Sequence, residues 1–380
     1  MLTSTERINE CENYQYIESF DQYPLNGGIE VRSLELNETY QFRVIIATSE
    51  YDLLRAGRLR SILGIPGQSF ESALLFRDKI LMKKCLREAG INVPNFKKIE
   101  SALDLYSFVQ THGYPVIVKP IDGSGSESTS VLRNREDMLD YLAFGIANNF
   151  EVESFVEGDM YHIDGLILNN EVVLNWPSRY VNGCLAFQND QFLGSYQLEY
   201  DNPLTSRLIK FVEKVLGALP TPEITTFHAE VFHTPDDNLV FCEIASRTGG
   251  AMVREAIQQG FGFDINQVCV QVQCGLNVNI PDNSTLRKGP KLLSGWLLIP
   301  PKVGILKSLP TVPFEDWIIK QKISAKPGQT FDGSSSSVDA VASYLVVGNS
   351  EEELNNRINQ LATWFNESAV WEKAPECLLK

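Results

Sequence analysis

Residues 113–130 read GYPVIVKPIDGSGSESTS, and this stretch decides the architecture of the chain. The run from Pro115 to Val118 is short, apolar and rich in β-branched residues, which predicts a buried strand that ends at Lys119. A loop of small residues follows, beginning with Gly123, Ser124, Gly125 and Ser126. Small residues let backbone N–H groups approach an anion, and a lysine adds a point charge suited to phosphate. The segment therefore predicts a nucleotide triphosphate site.

Two better-known phosphate motifs are absent from this stretch. No P-loop pattern occurs, and the pair Gly123 and Gly125 lacks the third glycine of a dinucleotide fingerprint. The loop also runs into Ser130–Leu132, which has an extended pattern, whereas a dinucleotide fingerprint opens a helix. We therefore expect the loop to join two antiparallel strands and to fold over phosphates as a flap. The alternative is a solvated lysine followed by an ordinary turn.

Composition restricts the class of protein. A chain of 380 residues with 43% hydrophobic residues is long enough for two or three globular domains. No apolar run approaches the ~18 residues of a membrane span, and the polar N-terminus is not a signal peptide. The seven scattered cysteines favour reduced thiols and a cytoplasmic location. A net charge of −15 argues against a nucleic-acid partner, and four histidines without ligand spacing argue against zinc.

The first 75 residues predict a small α/β domain. Phe42–Thr48 has the pattern of a buried strand, and Leu53–Leu63 has the periodicity of a helix that stops at Gly64. A second helix is expected over Phe76–Ala89, with Lys79 in its first turn at a domain junction. Its other basic residues are expected to form a solvated face: Lys83, Lys84 and Arg87.

The middle of the chain predicts an antiparallel α+β region. A meander of three strands is predicted, because the first segment alternates apolar and polar residues and turns separate the segments. The segments are Phe150–Val156, Tyr161–Leu168 and Glu171–Trp176. A hairpin follows, made of Thr226–His233 and Leu239–Ala245 around a polar turn. From Lys291 onward further strands are expected, and the serine-rich stretch at 333–337 is interpreted as a linker.

Two carboxylates stand inside the apolar strands of this hairpin. Glu230 and Glu243 would be costly to bury unless they were paired or bound to a cation. Antiparallel pairing can bring them together on one face, where Mg²⁺ would relieve their repulsion. The alternative is a pair of water-facing glutamates or partners of a buried arginine. Arg247 and a Gly-Gly pair follow directly.

Four motifs in this order resemble the ATP-grasp superfamily, and in particular its carboxylate–amine ligases, which include the L-amino acid ligases. They are the Arg-Asp-Lys helix start at 77–79, the Val-Lys-Pro strand with its small-residue loop, Glu153-Ser-Phe-Val-Glu-Gly, and Glu243-Ile-Ala-Ser-Arg247. The resemblance implies three domains: an N-terminal α/β domain, a central α+β lid domain and a C-terminal α+β domain. We expect the chain to divide into four segments: 1–75, 76–158 with the lid and phosphate loop, 159–290 with the metal site, and a C-terminal lobe at 291–380.

The resemblance also assigns roles to individual residues. Lys79, Lys119 and the loop that contains Gly123, Ser124, Gly125 and Ser126 would bind the ATP phosphates. Glu153 would accept from the adenine amino group, and Phe155 and Val156 would supply backbone contacts. Asp164, on the central meander beside His162, is placed among the ATP contacts. Glu230 and Glu243 resemble the Mg²⁺ ligands, with Mn²⁺ as an alternative, and Arg247 matches the arginine that stabilises an acyl phosphate together with Lys119.

One position departs from the family pattern. Many relatives have an asparagine where this chain has Ala245, so a second metal would lose a ligand unless Ser246 or a bidentate Glu243 replaced it. The implied activity is ATP-dependent ligation of a small carboxylate, an amino acid, to an amine. The alternatives are transfer to the thiol of an acyl carrier protein and an ATP-binding subunit without catalysis. A homodimer is also left open.

Overall fold

The computed structural model describes residues 1–310 and 315–373. One predicted free thiol, Cys377, lies outside the described residues, as does the end of the predicted 291–380 lobe. The other six cysteines are free thiols. Among the described residues, none of the helices has the length and apolar character required to cross a bilayer.

The N-terminal part contains short strands and three helices. It comprises β1 (Leu2–Ser4), β2 (Glu18–Phe20), α1 (Gly28–Tyr40), α2 (Leu53–Leu63) and α3 (Phe70–Leu75). Strands β1 and β2 pair in parallel. Helix α2 has the predicted bounds and ends at Gly64, whose φ of 66° is the left-handed conformation that glycine tolerates best.

The strand predicted over Phe42–Thr48 is wrong. The segment forms no strand and lies beside α2 as irregular chain. The guanidinium group of Arg60 donates from Nε to the Ile45 carbonyl at 3.1 Å. A side chain thereby takes an acceptor that a neighbouring strand would otherwise use, so the apolar pattern alone did not distinguish a strand from a packed coil.

A four-stranded antiparallel sheet follows, with the order β3-β6-β4-β5. Its elements are α4 (Lys79–Glu88), β3 (Phe96–Ile99), α5 (Ala102–His112), β4 (Val116–Pro120), β5 (Ser130–Leu132), α6 (Arg135–Ala143) and β6 (Phe150–Ser154). Apolar residues of α5 and α6 pack on this sheet. Since β4 pairs antiparallel with β5, the loop after Lys119 joins two antiparallel strands as predicted.

The rest of the chain is built on one eight-stranded sheet, with the order β11-β10-β7-β8-β9-β12-β16-β14. Its strands are β7 (Asp159–Leu168), β8 (Glu171–Val181), β9 (Leu193–Gln197), β10 (Thr225–His233), β11 (Leu239–Ala245), β12 (Leu293–Ile299), β14 (Ile318–Ile323) and β16 (Ala342–Gly348). All neighbouring pairs in this sheet are antiparallel.

Helices cover both faces of this sheet. One apolar cluster joins it to α4, α7 (Pro203–Ala218) and α11 (Glu351–Ser368). A second cluster joins it to α8 (Val253–Phe261) and α9 (Ile265–Gln273). The remaining elements are α10 (Asn283–Leu286) and a small sheet of β13 (Val303–Ser308), β15 (Thr330–Asp332) and β17 (Val370–Glu372).

The mixture of an α/β N-terminal part and two α+β parts agrees with the predicted fold class. The predicted domain boundaries stay a prediction. The pairing of β9 with β12 carries the large sheet across the expected boundary at residue 290. The predicted core segment and the C-terminal lobe therefore share one sheet.

Candidate active site

A cavity of about 790 Å³ lies between the four-stranded sheet and the β10–β11 edge of the eight-stranded sheet. This volume is within the usual range for a small-molecule site. Most of the predicted site residues line it: Lys79, Lys119, Gly123, Ser124, Ser126, Glu153, Phe155, Val156, Glu230 and Glu243. Three predicted residues do not belong to the lining: Gly125, Asp164 and Arg247.

The phosphate loop, residues 123–130, is held by its carbonyl groups. Lys79 Nζ donates to the Gly123 carbonyl at 2.8 Å, and Gln188 Nε2 donates to the Thr129 carbonyl at 2.8 Å. The N–H groups of residues 123–126 have no hydrogen-bond acceptor within the described part of the chain. Backbone donors on a loop of small residues suit the binding of phosphate oxygens.

Lys119 is the residue before the last of strand β4 and is buried at the wall of the cavity. Burial opposes its charge, but the nearby Glu153 carboxylate outweighs burial and holds the pKa of the Lys119 ammonium well above its usual value. Lys119 is therefore a cation at neutral pH, as contact with phosphate would require.

Glu230 and Glu243 face each other directly across the β10–β11 hairpin. Burial alone would raise the pKa of Glu243, but Lys79 and Lys119 outweigh it and lower this pKa to about 2. Tyr180 donates to Oε1 of Glu230 at 2.9 Å, while Oε2 has no hydrogen-bond partner among the residues described. Two adjacent carboxylates, one of them with a free oxygen, are hard donors, so this pair fits Mg²⁺.

The prediction of a solvated face on α4 is wrong for Lys83. This side chain is fully buried, and its Nζ lies 2.6 Å from Glu151 and 2.6 Å from Glu153. Lys84 and Arg87 are exposed, as predicted. The signal for Lys83 was its spacing, because a residue four positions after Lys79 lies on the same helical face.

Glu153 lies between two lysines, since its other oxygen is 2.6 Å from Lys119 Nζ. Burial would raise its pKa, but Lys119 and Lys83 outweigh burial and lower the pKa of Glu153 to about 2. The carboxylate thus aligns Lys119 at the cavity wall. Its predicted contact with the adenine amino group stays a prediction, and an adenine there would share the carboxylate with both lysines.

The segment after β6 contains Phe155 and Val156, the two residues predicted to contact adenine through their backbone. The Phe155 N–H donates to the Pro115 carbonyl at 3.2 Å, so it is occupied. The Val156 N–H has no acceptor within the described residues, and Val156 lines the cavity. Val156 is therefore the better candidate for an adenine contact.

The structure excludes one of the expected replacements for the asparagine that Ala245 lacks. Ser246 follows the end of β11, is buried and does not line the cavity, and its Oγ accepts a hydrogen bond from Gln68 Nε2 at 2.9 Å. Directly opposite Ala245 in the sheet lies His228, whose Nε2 is 3.6 Å from Glu230. His228, which was not predicted as a site residue, therefore lies beside the pair formed by Glu230 and Glu243.

Asp164 lies behind the cavity rather than on its wall. It is 3% exposed, and its two oxygens contact His162 Nδ1 at 2.5 Å and His228 Nδ1 at 2.8 Å. The predicted ATP contact of Asp164 has no support in this geometry. His162 also bonds Ser195 at 2.6 Å, which gives an Asp-His-Ser chain. Ser195 is completely buried, so this chain has no access to a substrate and is structural, as expected for His162.

Burial and ion pairing set the charges of the polar layer behind the cavity, which contains Asp164 and His228. Burial opposes the charge of His228, but Asp164 outweighs burial and raises the pKa of His228 to about 10. For Asp164, burial is outweighed by His228 and His162, which hold its pKa well below its usual value. The layer therefore places a positive charge beside Glu230.

Arg247 begins the arginine loop, residues 247–250, and is paired with Glu50 of the N-terminal part. Glu50 also binds Arg77 at 2.6 Å. Burial would raise the pKa of Glu50, but Arg247 and Arg77 outweigh it and hold that pKa below its ordinary value. Two arginines share one carboxylate, so the cluster carries a net positive charge. Glu50 was not recognised in the sequence because its partners are far away along the chain.

Residues 76–251 match the family model described as an ATP-grasp domain. The match spans all four motifs on which the resemblance to the ATP-grasp superfamily rests. The chain is 26% identical to the L-arginine-specific L-amino acid ligase of Bacillus subtilis over 334 residues, which are 84% of this chain and 78% of the relative.

Solved structures show the same fold. The chain resembles an L-amino acid ligase from Bacillus licheniformis with a TM-score of 0.76 and 16% identity, over 96% of this chain and 90% of the other. It also resembles carboxyaminoimidazole ribonucleotide synthase from Aspergillus clavatus, solved with ATP, with a TM-score of 0.71, 16% identity and coverage of 97% and 91%. The fold is that of ATP-grasp ligases. The predicted class, an ATP-dependent ligase, is confirmed.

Proposed function

We propose that the protein activates the carboxylate of an amino acid as an acyl phosphate and joins it to an amine, with release of ADP and phosphate. The observation that carries this proposal is the convergence of two lysines, two carboxylates and a loop of free backbone N–H groups on one cavity. Similarity to an L-arginine-specific L-amino acid ligase supports an amino acid as the substrate class.

The residues suit each part of this reaction. ATP would lie along the cavity, with its phosphates against residues 123–126, Lys79 and Lys119, and its base near Val156. Glu230 and Glu243 would hold Mg²⁺, which when bound neutralises part of the phosphate charge. A carboxylate oxygen of the substrate then attacks the γ-phosphorus, the bond to the β-phosphate oxygen breaks, and ADP leaves.

The second step forms the amide. The amine nitrogen attacks the acyl carbon, the carbon–oxygen bond to phosphate breaks, and the nitrogen loses a proton. Negative charge grows on the transferring group during both steps, and the Lys119 ammonium would offset it. Arg247 would do the same at the acyl end after exchanging its Glu50 partner for the substrate. A loop closed over the phosphates would protect the acyl phosphate from water.

The test is ADP and phosphate release by the purified protein with Mg-ATP, across a panel of single and paired amino acids. Mass spectrometry of each active mixture identifies the product. ADP release that requires two amino acids and yields a dehydrated adduct is the expected result. ADP release that requires one amino acid and a carrier-protein thiol would overturn the amine acceptor. ATP binding without ADP release in any mixture would overturn the catalytic proposal.

A further inference from the structure

The serine-rich stretch interpreted as a linker is built into the site. The serine loop, residues 333–339, lies between β15 and β16 in the C-terminal part of the chain. Its central residues are buried: Ser336 is 2% exposed and Ser337 is 8% exposed. A flexible linker would leave such small polar residues in water, so the interpretation as a linker is wrong.

The serine loop has a rigid internal structure. The Asp339 carboxylate accepts from the N–H of Ser335 at 2.8 Å and from the N–H of Ser336 at 3.0 Å. Ser334 Oγ donates to the Ser336 carbonyl at 2.8 Å. These bonds orient Ser336 and Ser337, and both residues donate to the same acceptor.

That acceptor is the phosphate loop. Ser336 Oγ donates to the Gly125 carbonyl at 3.1 Å, and the Ser337 N–H donates to the same carbonyl at 2.8 Å. Gly125 has a φ of 63°, and a Cβ on it would lie 2.7 Å from Ser336 Oγ. The two segments therefore fit closely at this point, and a larger residue at 125 would both strain the backbone and displace the Ser336 hydroxyl.

The serine loop also approaches the arginine loop. Val338 Cγ1 lies 3.4 Å from where a Cβ on Gly250 would stand, and Val338 Cγ2 lies 3.6 Å from the equivalent point at Gly125. Val338 is 47% exposed although it is apolar. It thus stands between the loop that faces the phosphates and the loop that carries Arg247.

We propose that Ser336 and Ser337 are positioning residues that hold the phosphate loop against the C-terminal part of the chain, and that Val338 keeps that loop in register with the arginine loop. This inference rests on the proposed function for its catalytic consequence. Two donors on the Gly125 carbonyl leave the N–H groups of residues 123–126 free for phosphate oxygens. Closure of the phosphate loop and placement of the arginine loop become one event.

The experiment is hydrogen exchange of the full-length protein, alone and with Mg²⁺ and the non-hydrolysable analogue AMP-PNP. Ser336→Ala removes one of the two donors, and about a fivefold faster exchange of residues 123–130 is expected in the free protein. Ser324→Ala, an exposed serine in the same part of the chain, is the matched control. In the wild-type protein AMP-PNP should slow exchange of residues 333–339, and Ser336→Ala should abolish that effect.

Kinetics separates positioning from folding. Once an active substrate pair is known, Ser336→Ala should raise the KM for ATP about fivefold with a smaller change in kcat, while Ser324→Ala leaves both unchanged. Unchanged exchange of residues 123–130 in Ser336→Ala would overturn the inference even if the enzyme is an active ligase. Failure of AMP-PNP to slow exchange anywhere, including residues 123–130, would instead count against the proposed function.

Discussion

Replacing Lys83 tests whether a buried ion pair supports the active-site wall. Lys83→Met keeps the length of the side chain and removes its charge. The ammonium group makes two charge-assisted hydrogen bonds of 2.6 Å to Glu151 and Glu153, and all three side chains are buried. Removing one partner of such a buried pair costs about 3–5 kcal/mol in the free energy of unfolding.

The two carboxylates do not lose equally. Glu153 keeps Lys119 at 2.6 Å, whereas Oε2 of Glu151 already has no hydrogen-bond partner among the described residues. The penalty therefore falls on Glu151, and we expect about 3 kcal/mol at pH 8, the lower end of that range. Burial raises the pKa of Glu151 even with Lys83 present, and loss of the ammonium raises it further.

This pKa sets the sign of the pH dependence. A carboxyl group whose pKa is higher in the folded than in the unfolded state destabilises the fold as pH rises above its ordinary value of 4.5. The deficit of Lys83→Met relative to wild type should therefore be larger at pH 8 than at pH 5, where Glu151 takes up a proton more readily. Urea unfolding at both pH values measures it.

Lys84→Met is the matched control, because Lys84 is the exposed neighbour on the same helix. It should change the stability by less than about 0.5 kcal/mol. Adding Glu151→Leu to Lys83→Met removes both charges and should recover much of the loss. A Lys83→Met protein as stable as Lys84→Met, or equally weakened at pH 5 and pH 8, would refute the reasoning.

Three further predictions concern the cavity and the layer behind it. Glu243→Gln should leave the protein folded but lower ADP release by orders of magnitude, because the Mg²⁺ site loses a charged ligand. Glu223→Gln, which changes an exposed side chain, is the control, and near-normal turnover of Glu243→Gln would refute the metal role. Gly249→Ala should lower turnover at least tenfold by displacing the arginine loop, because the added Cβ would lie 2.6 Å from His228 Nδ1. Gly217→Ala, where the added Cβ meets open space, is the control, and equal activity of the two variants would contradict the prediction. His228→Asn should be less stable than wild type at pH 7, and this difference should shrink towards pH 10. A pKa raised from 6.5 to about 10 gives a stabilisation that is complete below pH 6.5 and is lost as the pH approaches 10. A difference in Tm that does not change with pH would contradict the prediction.

Local pattern was sufficient for several elements of the site. The strand that carries Lys119, the loop of small residues and the antiparallel return at Ser130 were predictable because they follow from side-chain size and β-branching within a few residues. The pairing of Glu230 with Glu243 was predictable for a similar reason, since a short turn and the two-residue period of strands determine which side chains face each other.

Local sequence pattern failed where two different structures are compatible with the same pattern. Phe42–Thr48 is apolar enough for a strand, yet the carbonyl of Ile45 is taken by Arg60 and the segment stays irregular. Likewise, a lysine in an amphipathic helix is usually solvated, and only the position of Glu151 and Glu153 on β6 explains why Lys83 is buried.

By itself, the sequence determined the class of the protein, its phosphate loop and its acidic pair, because these depend on short-range pattern and on motif order. Only the tertiary structure decided which distant segments of the chain contact the phosphate loop and the arginine loop. Ser336 reaches Gly125 across 211 residues of chain, and Arg247 reaches Glu50 across 197. Such contacts arise when separate sheets and lobes pack together, and no periodicity within either segment encodes the partner.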